Sequence, residues 1–477
     1  MVKSTIHFFL LFFIPASYFC QIDQVLAEWR LDDRLENASI GYCVKDIATT
    51  KSIIDSNEHL SLIPASTLKI FTTATALSKL GRAYRYETKI YYVGSFDKLT
   101  GVLQGDVIIE GSGDPTLQSE YFTIKGTNIT DVWAEAIKQY GITEITGRII
   151  GDASYFDREI PGTWLWEDVC NYYGAIPTGL PFMDNKFTIT FKSGEPGSRA
   201  TVLQNAPRYL TSPIIISSEV TCLGKDDHAF VYGDPFSFEK RIKGTIPANQ
   251  DKFHISGALP DPALLCSEYL CTSLLRKNIR CKAKSVLSVY DKNNLPTGQK
   301  TLLYTNYSPS LDKIVYQTNQ NSNNLYCESL LRTLGNGSTS QGMMAVKKYC
   351  LRSGADTTEL CMRDASGLSR VNTTTPNLMT SVLCKLFSDT AVYNSFDPSL
   401  PLSGTGISMM HVGKGTIIEN NMRAKTGYMQ RVRSYCGYVK TKAGRDLAFS
   451  IIFNNYNCPA SEARFIIEKF LVALAEL

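Results

Sequence analysis

Residues 88–160 read as strand-like runs broken by turns, with one helical interruption at 129–140, and residues 186–255 as short strands with Pro and Gly turns. This block separates two stretches that carry helical periodicity. On its near side, Leu68, Phe71, Ala74, Leu77 and Leu80 define a helix over 65–80 that Gly81 closes, after strands at 38–54. On its far side, helices are expected at 264–278, 311–317, 325–334, 343–353 and 377–386. Strands return at 437–439 and 447–453, and an amphipathic helix over 460–477 is expected to pack on them. The 477 residues exceed the ~250–300 at which one core stops growing, so two or three domains are required.

Composition narrows the class. The chain is 44% hydrophobic and 20% charged, the balance of a soluble globular protein. Its 49 basic and 45 acidic residues are interspersed, which disfavours a nucleic-acid partner. Five His residues without a pair at ligand spacing disfavour a His-rich metal centre. Lys3, the apolar run 8–14 and the break at Pro15-Ala16-Ser17 read as a cleaved export signal over residues 1–20, and hence an exported, periplasmic protein. Thirteen Cys suit disulfides in that compartment, and Cys266 with Cys271, or Cys350 with Cys361, are near enough in sequence to pair.

Three short motifs bear chemistry. Ser66-Thr67-Leu68-Lys69 opens the first helix, where positions i and i+3 share a face and the dipole favours developing negative charge. Ser-x-x-Lys recurs at Ser95, Ser237 and Ser310, and the last also begins a helix. Ser322-Asn323-Asn324 is the one Ser-x-Asn in the chain, and Lys425-Thr426-Gly427 precedes a strand-like run. On an edge strand, Gly427 lets a ligand backbone approach closely. Together, in this order, the three form the serine penicillin-recognising set.

The chain resembles the class C low-molecular-mass penicillin-binding proteins, the D-alanyl-D-alanine carboxypeptidase/endopeptidases. The resemblance rests on Pro64-Ala65-Ser66-Thr67, Gly113-Asp114-Pro115-Thr116-Leu117, Asp152-Ala153-Ser154-Tyr155-Phe156, Trp164-Leu165-Trp166-Glu167-Asp168, Asn323-Asn324-Leu325, Asp364-Ala365-Ser366-Gly367-Leu368-Ser369-Arg370 and Arg423-Ala424-Lys425-Thr426-Gly427. It implies an α/β (α+β) fold: a β-lactamase/transpeptidase-like domain, an antiparallel sheet flanked by helices, carrying two β-rich inserts. The expected boundaries are 21–87 with 290–477 for the catalytic domain, 88–170 with 245–289 for the larger insert, and 171–244 for the smaller.

The resemblance also implies roles. Ser66 is the nucleophile and Lys69 its base; Ser322 relays a proton, bridging Lys69 and Lys425. Asn324 binds the substrate amide, Lys425 and Thr426 bind the terminal carboxylate, and the N–H groups of Ser66 and Tyr428 form the oxyanion hole behind Gly427. Asp168 is a candidate for the amine of the stem peptide. A Lys half neutral at pH 7 needs its pKa lowered by ~3.4 units, which burial and a second cation can supply. The implied partners are peptidoglycan peptides, with β-lactams as inhibitors, and the chemistry needs no cofactor. Tyr428, Asn323, Arg431, Arg433 and residues 404–408 depart from the usual pattern. They motivate an alternative, a non-catalytic peptidoglycan-binding protein. A β-lactamase is disfavoured by the long insert. Because Ser310 is the strongest rival to Ser66, Ser310→Ala is expected to leave covalent penicillin labelling unchanged while Ser66→Ala abolishes it, read by gel fluorescence.

Overall fold

The computed structural model describes residues 16–477 apart from 210, 282–284, 353 and 355. The apolar run 8–14 expected as an export signal lies outside the described residues, and a helix begins at Ala16 and runs to Leu31.

The first strands of the chain pair with the last. A five-stranded antiparallel sheet runs in the order Met422–Met429, Val432–Lys440, Asp446–Asn454, Ser39–Asp46, Ser52–Ser56. Everything between residues 56 and 422 is therefore inserted between strands of one sheet. The central strand reads Asp-Leu-Ala-Phe-Ser-Ile-Ile-Phe-Asn and is buried on both faces, so it is apolar almost throughout rather than alternating. One face packs the Pro376–Ser388 helix and, behind it, the Lys69–Leu80 helix. The other packs the Ala460–Glu476 helix and the Ala16–Leu31 helix. The C-terminal helix is thus a core element, as its pattern implied. At the crossing of these two helices Trp29 meets Phe453 edge-on at 5.0 Å and Phe470 at 5.2 Å.

The insert builds its own sheets. Six strands form a mixed sheet whose main path is Val286–Val289, Ile149–Asp152, Val102–Glu110, Glu87–Asp97, Lys300–Tyr307. The helices Ile129–Gln139 and Pro262–Arg276 share a core with it. Two three-stranded sheets follow: Phe230–Tyr232, Glu239–Ile246, Ile215–Cys222, and Phe253–Ala258, Lys186–Lys192, Thr201–Ala206. These pairings bear on where the domains divide. Lys300–Tyr307 pairs with Glu87–Asp97, and Phe253–Ala258 pairs with Lys186–Lys192. We propose that the larger insert closes after Tyr307 rather than before residue 290, and that the smaller one takes in Phe253–Ala258.

The cysteines of the described residues after Cys20 are free thiols. Neither pairing expected from sequence forms; Cys271 instead meets Cys281, sulfur to sulfur, at 3.1 Å.

Trp29 is 8% exposed and its ring closes the seam between the two terminal helices. Trp29→Ala is expected to cost about 3 kcal/mol, through lost apolar burial plus the cavity left behind. The readout is a lower urea midpoint.

Candidate active site

Ser66, the expected nucleophile, sits in the turn that follows Pro64, called here the nucleophile turn. Ala65, with φ +48°, breaks the chain after Pro64, and a single 3₁₀ turn, Ala65–Leu68, leads into the Lys69–Leu80 helix. In a 3₁₀ turn, side chains three apart eclipse, closer than in an α-helix. Lys69 Nζ accordingly lies 2.9 Å from Ser66 Oγ. The turn is locked from the sheet: Ser434 Oγ donates to the Pro64 carbonyl at 2.5 Å, and Thr67 Oγ1 donates to the same oxygen at 2.8 Å. A Cβ on Gly427 would sit 2.4 Å from that carbonyl, so the edge strand can pass here only as glycine.

Ser322 lies in the short link between the helices Leu311–Gln320 and Asn324–Leu334. Its φ is +53°, an uncommon conformation for a non-glycine residue. Asn323 caps the second helix by accepting from Tyr326 N at 3.1 Å, a task Asn and Asp perform about equally, which explains the Asn here. Lys425 donates to Ser322 Oγ at 3.0 Å and to the Thr426 carbonyl at 2.9 Å. Lys69 makes no hydrogen bond to Ser322, so the expected bridge between the two lysines is absent. Lys69 instead donates to Asn324 Oδ1 and to the Ser366 carbonyl, each at 2.6 Å. Asn324 is thereby engaged at both ends, since its Nδ2 donates to the Tyr173 carbonyl at 2.8 Å.

Both lysines are fully buried. Burial pulls the Lys69 amine down to about 8, short of the 7 expected from sequence, because the nearby Cys327, Asp364 and Glu328 oppose the shift. Burial, then the charge of Lys69, hold Lys425 well below the ordinary lysine range. Arg433 adds to that depression.

Ser66, Ser322, Asn324, Asp168 and Tyr428 line one cleft of about 880 Å³. Thr426 and Gly427 lie on the edge strand between Lys425 and Tyr428. Asp168, brought by the insert, is half-buried; burial raises its carboxyl pKa against the hydrogen bond from the Tyr173 side chain. Arg431 and Arg433 do not line the cleft. Arg431 donates to the Asn455 and Tyr456 carbonyls, and Arg433 donates to Tyr435 Oη at 2.7 Å while stacking 5.7 Å from the Tyr428 ring. These two departures brace the hairpin and the Tyr428 side chain. Residues 404–408 lie outside the cleft lining as well. So does Ser310, whose hydroxyl bonds Asp312 Oδ1.

Sequence reasoning missed the groups behind Lys69. Glu328, Asp364, Trp164 and the Tyr173 carbonyl hold its acceptors. The one available signal was spacing: Glu328 follows Asn324 by four residues, one helical turn on the same face. Among the described residues no group of three or more His, Cys, Asp or Glu could hold a metal ion.

The chain matches the D-Ala-D-Ala carboxypeptidase 3 (S13) family over residues 22–476. It is 27% identical, over 93% of its length and 82% of the relative's, to a D-alanyl-D-alanine carboxypeptidase of Actinomadura sp. (strain R39). It is 24% identical to the D-alanyl-D-alanine carboxypeptidase DacB of Haemophilus influenzae, over 90% of its own length and 88% of DacB. The fold is that of penicillin-binding protein 4 from H. influenzae, with TM-score 0.78 and 24% identity, covering 94% of this chain and 98% of that one. A structure of the same protein complexed with a β-lactam gives TM-score 0.74 at 22% identity, with the same coverage. The α/β transpeptidase-like fold expected from sequence is therefore the observed one.

Gly367 has φ +81°, and a Cβ there would lie 2.0 Å from the Ala65 carbonyl, beside the nucleophile turn. Gly367→Ala is expected to displace Ser66 and slow its covalent modification by about 100-fold, the scale of a 1 Å misplacement. Circular dichroism checks that the fold is kept.

Proposed function

The chain belongs to the D-Ala-D-Ala carboxypeptidase 3 (S13) family and is a serine-type D-Ala-D-Ala carboxypeptidase; we propose that it acts through an acyl-enzyme on peptidoglycan stem peptides, cuts D-amino-acid cross-links as well as terminal D-Ala, and is inhibited by β-lactams. The observation that carries this reading is the 2.9 Å contact between Ser66 Oγ and a buried, pKa-lowered Lys69.

Ser66 attacks the carbonyl between the two D-Ala residues, and Lys69 takes its proton. With a pKa of about 8, about a tenth of Lys69 is neutral at pH 7, enough to populate the reactive form. Negative charge forming on the carbonyl oxygen is met by the N–H groups of Ser66 and Tyr428. Tyr428 needs only its backbone for this, so a large side chain at that position is compatible with the chemistry. Ser322 accepts from Lys425, which leaves its own hydroxyl proton free for the leaving amine. A substrate carboxylate at Lys425 and Thr426 draws a proton onto Lys425, whose charge is otherwise suppressed by burial. Asn324 has a second N–H beyond the one given to Tyr173, available to the substrate backbone. Asp168 and the Tyr173 side chain receive the amine of the stem peptide. Water then releases the shortened peptide.

The β-lactam bound by the H. influenzae relative supports the inhibitor class. Among the described residues no helix is long and apolar enough to cross a membrane. A leader at residues 1–20 would carry the enzyme to the wall, where its substrate lies. A non-catalytic binder would have no use for a depressed amine bonded to a serine, so the intact Ser66–Lys69 pair favours turnover.

Intact-mass and peptide mapping after incubation with benzylpenicillin tests the reading. A penicilloyl adduct on Ser66 is expected, lost in Lys69→Ala. The acylation rate is expected to rise with pH and level off above about 8, where Lys69 is neutral, and to fall about tenfold per unit below it. An unmodified, folded wild-type protein overturns the catalytic reading.

A further inference from the structure

To act as a base, Lys69 has to turn its lone pair to Ser66. A neutral amine keeps two N–H groups. Asn324 Oδ1 and the Ser366 carbonyl, both at 2.6 Å, can only accept. They take those two N–H groups and leave the lone pair facing Ser66 Oγ, the one partner of the three that can donate. The orientation of the base therefore depends on how firmly its two acceptors are held.

The Ser366 carbonyl belongs to a loop, residues 364–369, with no helix or strand of its own. Two buried carboxylates supply what secondary structure does not. Glu328 Oε1 accepts from Ala365 N at 2.9 Å and Ser366 N at 2.8 Å. Asp364 Oδ1 accepts from Gly367 N at 2.7 Å and Asn372 Nδ2 at 2.9 Å. Its Oδ2 accepts from Ser369 N at 2.6 Å and, from the insert, Trp164 Nε1 at 2.8 Å. Glu328 is itself paired with Arg332 at 3.4 Å. One face of the Asn324–Leu334 helix thus carries both the first acceptor of Lys69 and the clamp on the second.

We propose that Glu328 is a positioning residue for the D,D-peptidase reaction: it fixes the Ser366 carbonyl and so aims the Lys69 lone pair at Ser66, with the Trp164–Asp364 hydrogen bond as a second clamp supplied by the insert. The proposal rests on Lys69 being the base. Glu328 touches neither substrate nor the reacting atoms, and works through the carbonyl alone. Its charge has a separate effect, since it opposes the depression of the Lys69 pKa.

The test measures acylation by benzylpenicillin, and D-Ala release from an N-acylated D-Ala-D-Ala peptide, across pH. Glu328→Gln removes the charge and weakens the clamp. Its plateau rate is expected to fall about 10- to 100-fold with KM nearly unchanged, and its acid limb to move down by about half a unit or more, because a negative charge near Lys69 is gone. Glu328→Asp keeps the charge but shortens the reach, so the plateau stays low and the limb returns to its wild-type position. Trp164→Phe keeps the ring and loses the N–H, and is expected to lower the plateau severalfold without moving the limb. A merely structural role for Glu328 would lower the melting temperature and leave both plateau and limb alone. Folded Glu328→Gln with a wild-type plateau overturns the proposal, wherever its limb lies. If that variant does not fold, a wild-type plateau in both Glu328→Asp and Trp164→Phe overturns it. The parent reading fails separately, by absence of a wild-type adduct or its persistence in Lys69→Ala.

Discussion

A lysine amine out of reach of water, surrounded by three oxygens, is the condition on which the rest of this structure turns. The oxygens come from three places in the chain: the nucleophile turn, the helix that starts at Asn324 and the loop that starts at Asp364. Burial lowers the amine toward neutrality, and the charge of Lys69 in turn helps hold the second buried amine, Lys425, well below the ordinary lysine range. Two buried ammonium groups side by side cost more than one, so the site favours less than its full complement of protons. Glu328 and Asp364 behind Lys69 pull in the opposite direction. The net result is an amine whose charge state responds to pH near neutrality rather than one locked in either form.

The insert belongs to this balance. A strand-rich block placed between two strands of the catalytic sheet could have been a separate module on a tether. Here its 161–174 stretch reaches the site at three points. Trp164 donates to Asp364, the Tyr173 carbonyl fixes the amide of Asn324, and Asp168 stands in the cleft wall. The first two act on the two acceptors of Lys69. The stretch that places Asp168 in the cleft wall is therefore also the one that fixes Asn324 and Asp364, so a substitution in it is felt at both places.

Much of this was legible before any coordinates. Ser66, Lys69, Ser322 and Lys425 stand in motifs whose residue types follow from the chemistry, and the helix carrying the first pair has an unambiguous apolar face. The C-terminal helix was readable from periodicity, and the fold class from the resemblance that those motifs carry. What could not be read depended on long-range partners. Ser322 binds Lys425 but not Lys69, whose amine is taken up by Ser66, the Ser366 carbonyl and Asn324, two residues on from Ser322. Glu328 is marked only by its spacing from Asn324 and Asp364 only by the stretch it opens; the backbone N–H groups they collect, from residues 365–369, reveal their task. Strand pairing between distant segments is equally hidden. Lys300–Tyr307 looks like any strand until its partner Glu87–Asp97 is known.

The departures around Lys425 show how an edge strand can vary without losing its chemistry. Across the Met422–Met429 and Val432–Lys440 pair, Gly427 stands opposite Ser434, and Tyr428 opposite Arg433. Successive residues of a strand point to opposite faces. Ser434 turns toward Pro64 and fastens the nucleophile turn, so that face tolerates only glycine and a small hydroxyl. Arg433 turns the other way, where it has room to stack on Tyr428 and Tyr435. The tight constraint on one face and the latitude on the other follow from the same alternation. A bulky Tyr and an Arg can therefore occupy positions adjoining Lys425, Thr426 and Gly427 while Lys425 keeps its bond to Ser322 and the Tyr428 N–H remains part of the strand that borders Ser66.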